Sequence, residues 1–427
     1  MNNLPEIEFL LHLRDFGIKL GLEKTINLLE KFNNPHARYK SILIAGTNGK
    51  GSVAKTLATV LCEGGYSVGL YTSPHLVDIR ERIVVNGQKI SQDAFVHKIK
   101  QLYEILKKEP YHLYPTFFEA MTVLAFAFFA DSSIDILVCE VGMGGRFDAT
   151  NVLPSFMEVI TSIGLEHTYM LGKTYAQIAN EKAGIIKRNS TVVTAAQKEE
   201  ALKVIREKAK ENNARLYVYG KDFKAKKIGI STDGQEFNFC GKETYRHIKI
   251  PLWGSHQIEN MSIALQALIL MGDMGFPVHR QAIYSGLKNV SWPGRFQIIR
   301  HKPLWIIDGA HNPDGLKTLM RSLRALFPGE DFSLLMGILK DKDWRKMIEI
   351  IERNKNIKEI VFTAPDTGRA MDPEVLASFV KRKDIKRIII PDYKKAYRYM
   401  KQNPVNWCVC GSLYLCGNIL PLTGHQI

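Results

Sequence analysis

The sequence is poor in the features that mark a secreted, membrane-bound or disulfide-built protein. Its opening residues, Met1-Asn2-Asn3-Leu4-Pro5-Glu6, show no basic stretch followed by an apolar core, so no secretion signal is expected. The longest apolar run, residues 120–130, has 11 residues, too few to span a bilayer, and is expected to be a buried helix. Cysteine is scarce, with six in 427 residues and no paired framework. Cys408, Cys410 and Cys416 lie close together, but in an apolar, strand-like context that suits core thiols better than a zinc site, which wants four ligands. These absences point to a reducing cytoplasm and no membrane partner. Zinc-finger and RNP-type signatures are also missing, and no Lys/Arg run is dense enough for a nucleic-acid-binding tail. Internal repeats and low-complexity segments are absent.

What is present is ample core material and an excess of positive charge. Hydrophobic residues make up 45% of a chain too long for one ordinary domain, so two domains are expected. Lys and Arg number 58 against 43 Asp and Glu, a net charge of +15, which would draw an anionic ligand. Most of these charges are expected to be solvated surface.

The organising stretch is Gly46-Thr47-Asn48-Gly49-Lys50-Gly51-Ser52. It follows a short apolar run, residues 41–45, that reads as a buried strand. It precedes residues 52–63, which read as a helix closed by Gly64-Gly65. Strand, glycine loop and helix form the context of a phosphate-binding loop, in which backbone N–H groups turn inward and the helix start adds positive charge. Lys50 would reach the terminal phosphates. The general Walker pattern is met imperfectly: Ile44 stands where its first Gly would be, and Gly51 follows the Lys in place of Ser or Thr.

Alternating strand and helix patterns continue after this loop, which implies a mostly parallel sheet. Residues 1–40 read as helical, with Ile7, Leu10, Leu11, Ile26, Leu28 and Leu29 on apolar faces around residues 17–21. Residues 215–250 change to short alternating runs with a turn at Thr232-Asp233-Gly234, which suggests an antiparallel subregion. The boundary falls at Ser291-Trp292-Pro293-Gly294-Arg295. The fold class expected is therefore α/β: a P-loop domain over 1–294, then a smaller Rossmann-like α/β domain over 295–427.

Several polar residues stand where strands end, the place at which such sheets bind ligands. Glu140 ends the run 134–139, and a carboxylate beside a phosphate loop suits Mg²⁺, a hard cation that takes oxygen ligands. Ser73 and His167 each follow a strand. Asp308-Gly309-Ala310-His311-Asn312-Pro313 sets a carboxylate, an imidazole and an amide in one turn.

Together these motifs resemble the folylpolyglutamate synthase/dihydrofolate synthase family, within the wider Mur ligase group. The resemblance rests on Ala45 to Ser52, Tyr71-Thr-Ser-Pro-His75, Glu81-Arg-Ile83, Glu140-Val-Gly-Met-Gly-Gly145, Asp148-Ala-Thr-Asn151, Lys182-Ala-Gly-Ile-Ile186, Trp292-Pro-Gly-Arg295, Asp308 to Pro313 and Gly411-Ser-Leu-Tyr-Leu415, in the family's order. One departure is Glu166 before His167, where the family has Asp; the charge is kept.

The resemblance implies an ATP-dependent ligase that joins L-glutamate to a folate carboxylate through an acyl phosphate. Its acceptor would be tetrahydrofolate, with dihydropteroate as a further one. By the same resemblance, Gly46, Thr47, Asn48, Gly49, Lys50, Gly51 and Ser52 hold ATP, together with Asn260, Arg295 and Asp308. Ser73, Glu140 and His167 match Mg²⁺ ligands, two ions being expected, and Lys182 matches a carbamylated lysine serving the second. His311 and Ser412 would hold glutamate. The second domain would close over the site, and the enzyme is expected to act as a monomer. A peptidoglycan-type Mur ligase is the rival within the group, but would want a UDP-sugar domain before Gly46. A basic P-loop ATPase or nucleic-acid-binding module is the rival outside it, and has no use for the Asp308 motif.

Overall fold

The computed structural model describes residues 5–17, 21–195, 198–231 and 233–425. The chain forms two compact units. The first takes in residues up to 228 with 236–249 and 259–290; the second takes in 229–235, 250–258 and 291–427.

The first unit is built on strands β1 (Lys40–Ala45), β2 (Val68–Tyr71), β3 (Ile83–Val85), β4 (Gln88–Lys89), β5 (Ile136–Glu140), β6 (Met157–Ile160), β7 (Thr191–Thr194) and β8 (Arg215–Val218). Their order is β4-β3-β2-β5-β1-β6-β7-β8, with β3 and β4 antiparallel and the others parallel. β1 lies between β5 and β6 and is buried at five of its six residues, as expected of a central parallel strand covered on both faces. The chain leaves β1 for β2, returns through β5 and crosses to β6. The crevice at the carboxyl ends of β5, β1 and β6 is thus a topological switch point, where such sheets bind ligands.

The run 120–130 lies in the helix Phe117–Asp131, which is buried almost all round and opened by a Thr116/Glu119 capping box. With Leu43, Phe95, Leu137 and Val192 it forms the core of this unit. Ile7, Leu10, Leu28 and Leu29 join that core; Ile26, expected on an apolar face, is 42% exposed. Its helix, Glu23–Lys31, is amphipathic and turns Ile26 outward. Residues 18–20 of the expected glycine-flanked turn and Thr232 of the later turn lie outside the described residues.

The antiparallel region is narrower than the sequence pattern suggests. β9 (Lys224–Ser231), β10 (Gly234–Cys240) and β11 (Thr244–Ile250) form a three-stranded sheet, whereas β8 completes the parallel sheet by pairing with β7.

The second unit carries β12 (Gln297–His301), β13 (Leu304–Ile307), β14 (Phe332–Met336), β15 (Ile357–Ala364), β16 (Lys386–Asp392) and β17 (Trp407–Cys410). Their order is β12-β13-β17-β14-β15-β16, parallel except for β12. Cys408, Cys410, Ile306, Leu334 and Phe362 fill its core, and all six cysteines are free. No helix of the described residues is long and apolar enough to cross a membrane.

One core group carries a testable cost. Glu158 on β6 is fully buried and accepts hydrogen bonds from Ser155 Oγ (2.7 Å) and Ser190 Oγ (2.5 Å). Burial, only partly offset by these hydroxyls and by Lys187, raises its pKa from 4.5 to about 7. The folded chain therefore holds this proton where the unfolded chain has lost it. The associated stability is present below about pH 4.5 and lost as pH rises through about 7. Glu158→Gln removes the titration, so its Tm is expected to gain on the parent as pH rises across that window. Parallel Tm profiles for the two proteins would contradict the assignment.

Candidate functional site

The loop between β1 and the helix Lys50–Glu63 is held by contacts that leave little choice of residue. Gly46 has φ +149°, and a Cβ there would fall 1.8 Å from Thr161 Oγ1. Gly49 caps the helix at φ +92°, and its Cβ would meet Asn260 Oδ1 at 2.4 Å. Glycine alone fits both the backbone conformation and the space. Thr47 N donates to Ser162 O (2.8 Å), and Thr47 Oγ1 accepts from Gly164 N (2.9 Å). The Thr161 and Ser162 hydroxyls donate to Asn48 O at 2.7 and 3.3 Å. Gly51 and Ser52 are buried in the first turn of the helix. The loop is thus fixed by the end of β6 and by Asn260, and it leads into a helix start, a place suited to phosphate.

Two lysines converge on one oxygen of this loop. Lys50 Nζ donates to Gly46 O (3.0 Å) and Thr47 O (3.2 Å). Lys182 Nζ, from the last turn of the helix Tyr175–Ala183, donates to the same Gly46 O at 2.7 Å. Lys182 is buried, and its pKa is lowered to about 7, first by burial and then by the Lys50 charge. Glu166 and Asp148 pull in the opposite direction. Near neutral pH its amine therefore exists substantially as the free base.

Glu140 ends β5 as a buried carboxylate, and its Oε2 accepts from Ser73 N (3.1 Å). His167 has φ +51°, uncommon for a residue with a side chain, and its Nε2 lies 4.0 Å from Glu166 Oε1. The donor chemistry of Ser73, Glu140 and His167 (hydroxyl, carboxylate, imidazole) fits a cation that completes its shell with phosphate oxygens.

Some residues here carry more than their sequence context shows. Glu81 accepts from the amides of Leu76, Val77 and Asp78 and so pins the loop after Ser73. Asp148 accepts from Met143 N and from Thr150 N and Oγ1, pinning the loop after Glu140. Arg14 and Arg82 both stand over the Phe117 ring, and Arg82 Nε donates to His75 Nδ1. Burial, then Arg82 and Arg14, lower the His75 pKa to about 3, which keeps the imidazole neutral as an acceptor.

In the second unit the turn after β13 is organised by Asp308. Its carboxylate accepts from Phe296 N and Ala310 N, both at 2.8 Å. Phe296 is buried with φ +46°, so the backbone after Arg295 is held in a strained conformation by that bond. His311 Nδ1 donates to Gly309 O (2.7 Å), which fixes the tautomer and ring orientation. Ser412 is buried and caps the helix Leu413–Ile419, its Oγ accepting from Tyr414 N and Leu415 N. Gly411 N donates to Ala310 O and joins this cap to the Asp308 turn. His256, not singled out in the sequence, is partly buried, with its Nδ1 enclosed and unpaired; burial lowers its pKa, Asp308 opposes this and Arg295 adds to it. The sequence signal for it was its place one residue before Gln257-Ile-Glu-Asn260.

Residues 44–268 match the family model described as Mur ligase middle domain, and residues 294–409 match Mur ligase, glutamate ligase domain. The chain is 37% identical over 343 residues to a dihydrofolate synthase/folylpolyglutamate synthase of Bacillus subtilis (strain 168), covering 79% of this chain and 80% of that one. It is similar to a crystal structure of a folylpolyglutamate synthase from Thermotoga maritima, with 36% identity, coverage of 99% and 98%, and a TM-score of 0.87. A folylpolyglutamate synthase of Mycobacterium tuberculosis, complexed with ADP and AMPPCP, aligns at 30% identity over 99% of both chains with a TM-score of 0.90.

Lys50 donates to two loop carbonyls, and a phosphate is a stronger acceptor than either. Lys50→Ala is expected to cut the rate of ATP-dependent turnover by about 10²–10⁴ while the chain stays folded. Turnover within about threefold of the parent would remove Lys50 from the site.

Proposed function

The chain belongs to the folylpolyglutamate synthase/dihydrofolate synthase family of the Mur ligase group, and on that footing we propose that it joins L-glutamate to the carboxylate of a folate with hydrolysis of ATP to ADP and phosphate. The observation that carries the reading is the glycine loop with its two converging lysines at the carboxyl end of β1.

A carboxylate is a poor electrophile because its carbon already bears delocalised negative charge. In the proposed reaction a folate carboxylate oxygen attacks the γ-phosphorus of ATP, ADP leaves, and an acyl phosphate results. The uncharged amine of glutamate then attacks the acyl carbon, loses a proton and expels phosphate, which leaves an amide. Amides at the helix start of the loop 46–52 and the Lys50 ammonium would neutralise charge on the moving phosphoryl group. Asn260, Arg295 and Asp308 serve the nucleotide; His311 and Ser412 serve glutamate. Residues 1–294 would carry ATP and folate, and 295–427 glutamate.

Mg²⁺ would be held by Ser73, Glu140 and His167, with a second ion served by Lys182, and would supply charge stabilisation at the phosphate oxygens. An ammonium would repel such an ion. The lowered pKa of Lys182 supports a different state, since only the free amine adds CO₂ to give a carbamate, an oxygen ligand of opposite charge. Six free thiols suit a reducing cytoplasm, where we place the enzyme as a monomer.

With ATP, Mg²⁺ and glutamate present, ADP release is expected to depend on added folate, and the product mass to rise by one glutamate residue. Tetrahydrofolate tests tail extension, and dihydropteroate tests whether the first glutamate is also added here. ADP release stimulated by DNA and indifferent to folate and glutamate would contradict the reading and favour a basic ATPase.

A further inference from the structure

A second close backbone contact lies behind the two lysines. After β5 the chain turns through residues 142–147, and this turn presses on the end of the helix Tyr175–Ala183. Arg146 N donates to Glu181 O (2.8 Å). A Cβ on Gly145 would stand 2.6 Å from Glu181 O and 2.9 Å from Lys182 O; one on Gly184 would stand 2.5 Å from Arg146 Cβ. The two backbones touch, which only glycine at both positions permits.

Asn151 closes this contact from the side. Its Nδ2 donates to Arg146 O (2.9 Å) and to Gly184 O (3.2 Å), so one carboxamide bonds both partners. Lys187 Nζ donates to Asn151 Oδ1 and to Asn151 O, each at 2.7 Å. An ammonium can only donate, so it fixes which end of the amide is oxygen and which is nitrogen. All hydrogen-bonding atoms of this buried carboxamide are thereby engaged, and each bond serves the junction between the turn and the helix end.

We propose that Asn151 is a positioning residue for Lys182. By tying Arg146 O to Gly184 O it sets the last turn of the helix, and with it the point at which the Lys182 amine meets Gly46 O. A lysine side chain is long and flexible, so the place of its amine depends on where its backbone is anchored. The assignment rests on the functional reading above only in that Lys182 takes part in the reaction. In a site where geometry is set this closely, displacement of one group by about 1 Å lowers the rate by up to about 10²-fold.

The test uses Asn151→Asp, which keeps size and the oxygen facing Lys187 but replaces two donated bonds by repulsion between a carboxylate oxygen and two carbonyls. kcat is expected to fall about 10- to 100-fold with KM for ATP held within about threefold. Independently of activity, acetic anhydride labelling read by mass spectrometry is expected to modify Lys182 at least about threefold faster than in the parent, its amine no longer being held in place. Lys98, buried on the helix Gln92–Leu106, is the internal control and should label at the parental rate. Should Asn151→Asp fail to fold, Asn151→Ser and Lys187→Met are measured in the same way. A fall in Tm with parental kcat per folded molecule and parental labelling of Lys182 would overturn the proposal and leave Asn151 a structural residue. If Lys182→Ala kept full turnover, the role of Lys182 in the reaction would fail, while the labelling comparison would still decide the positioning claim.

Discussion

Two lysine side chains meeting at the carbonyl of Gly46 are the contact on which the rest of this site depends. Like charges so close in a buried place cannot both persist without cost, because low local polarity strengthens their repulsion. The chain resolves this asymmetrically. Lys50 enters from the helix start beside the loop, whereas Lys182 arrives fully enclosed from 136 residues further on, and its pKa gives way to about 7. The outcome is a second amine, that of Lys182, substantially uncharged near neutral pH beside Lys50. For both to reach one oxygen, Gly46 must press against Thr161 and Gly49 against Asn260, which fixes the loop relative to β6 and to the helix Ser255–Gly272.

The fold supplies this convergence through strand order. β1 lies centrally, and the chain reaches its two neighbours, β5 and β6, only after excursions, so three loops from distant parts of the sequence end at one edge of the sheet. Two nearby loops are each pinned by a carboxylate that accepts backbone amides: Glu81 for the loop after β2 and Asp148 for that after β5. The second unit repeats the device, with Asp308 gripping the amides of Phe296 and Ala310 and holding Phe296 at positive φ. In all three places an acidic side chain holds its loop by accepting backbone amides.

Much of this was legible in the sequence, and what was missed has physical reasons. The glycine loop, its flanking strand and helix, and Glu140 at the end of β5 follow from local pattern alone. β8 was grouped with the antiparallel strands because the alternation of Arg215–Val218 resembles theirs; its parallel pairing with β7 is a long-range choice. β12, Gln297–His301, is a short, partly exposed edge strand in which Ile298 packs against the core, so its local signal is weak. The helix Arg280–Asn289 buries only Ile283, Gly286 and Leu287 and carries a weak apolar stripe. Lys182 stood in the sequence as a cation near a helix end, where opposition to the helix dipole is its ordinary role. That it reaches Gly46, and that Asn151 and Glu158 are buried, are facts of tertiary contact that no local window contains.

The central claim is that this site activates a carboxylate by phosphorylation. It is tested most directly by supplying a folate whose acceptor carboxylate is labelled with oxygen-18, together with ATP and glutamate, and following the label by mass spectrometry. Attack of the carboxylate on the γ-phosphorus, followed by displacement at the acyl carbon, predicts that one labelled oxygen per amide formed appears in inorganic phosphate. Amide formation with unlabelled phosphate, or with the label in AMP, would contradict the account.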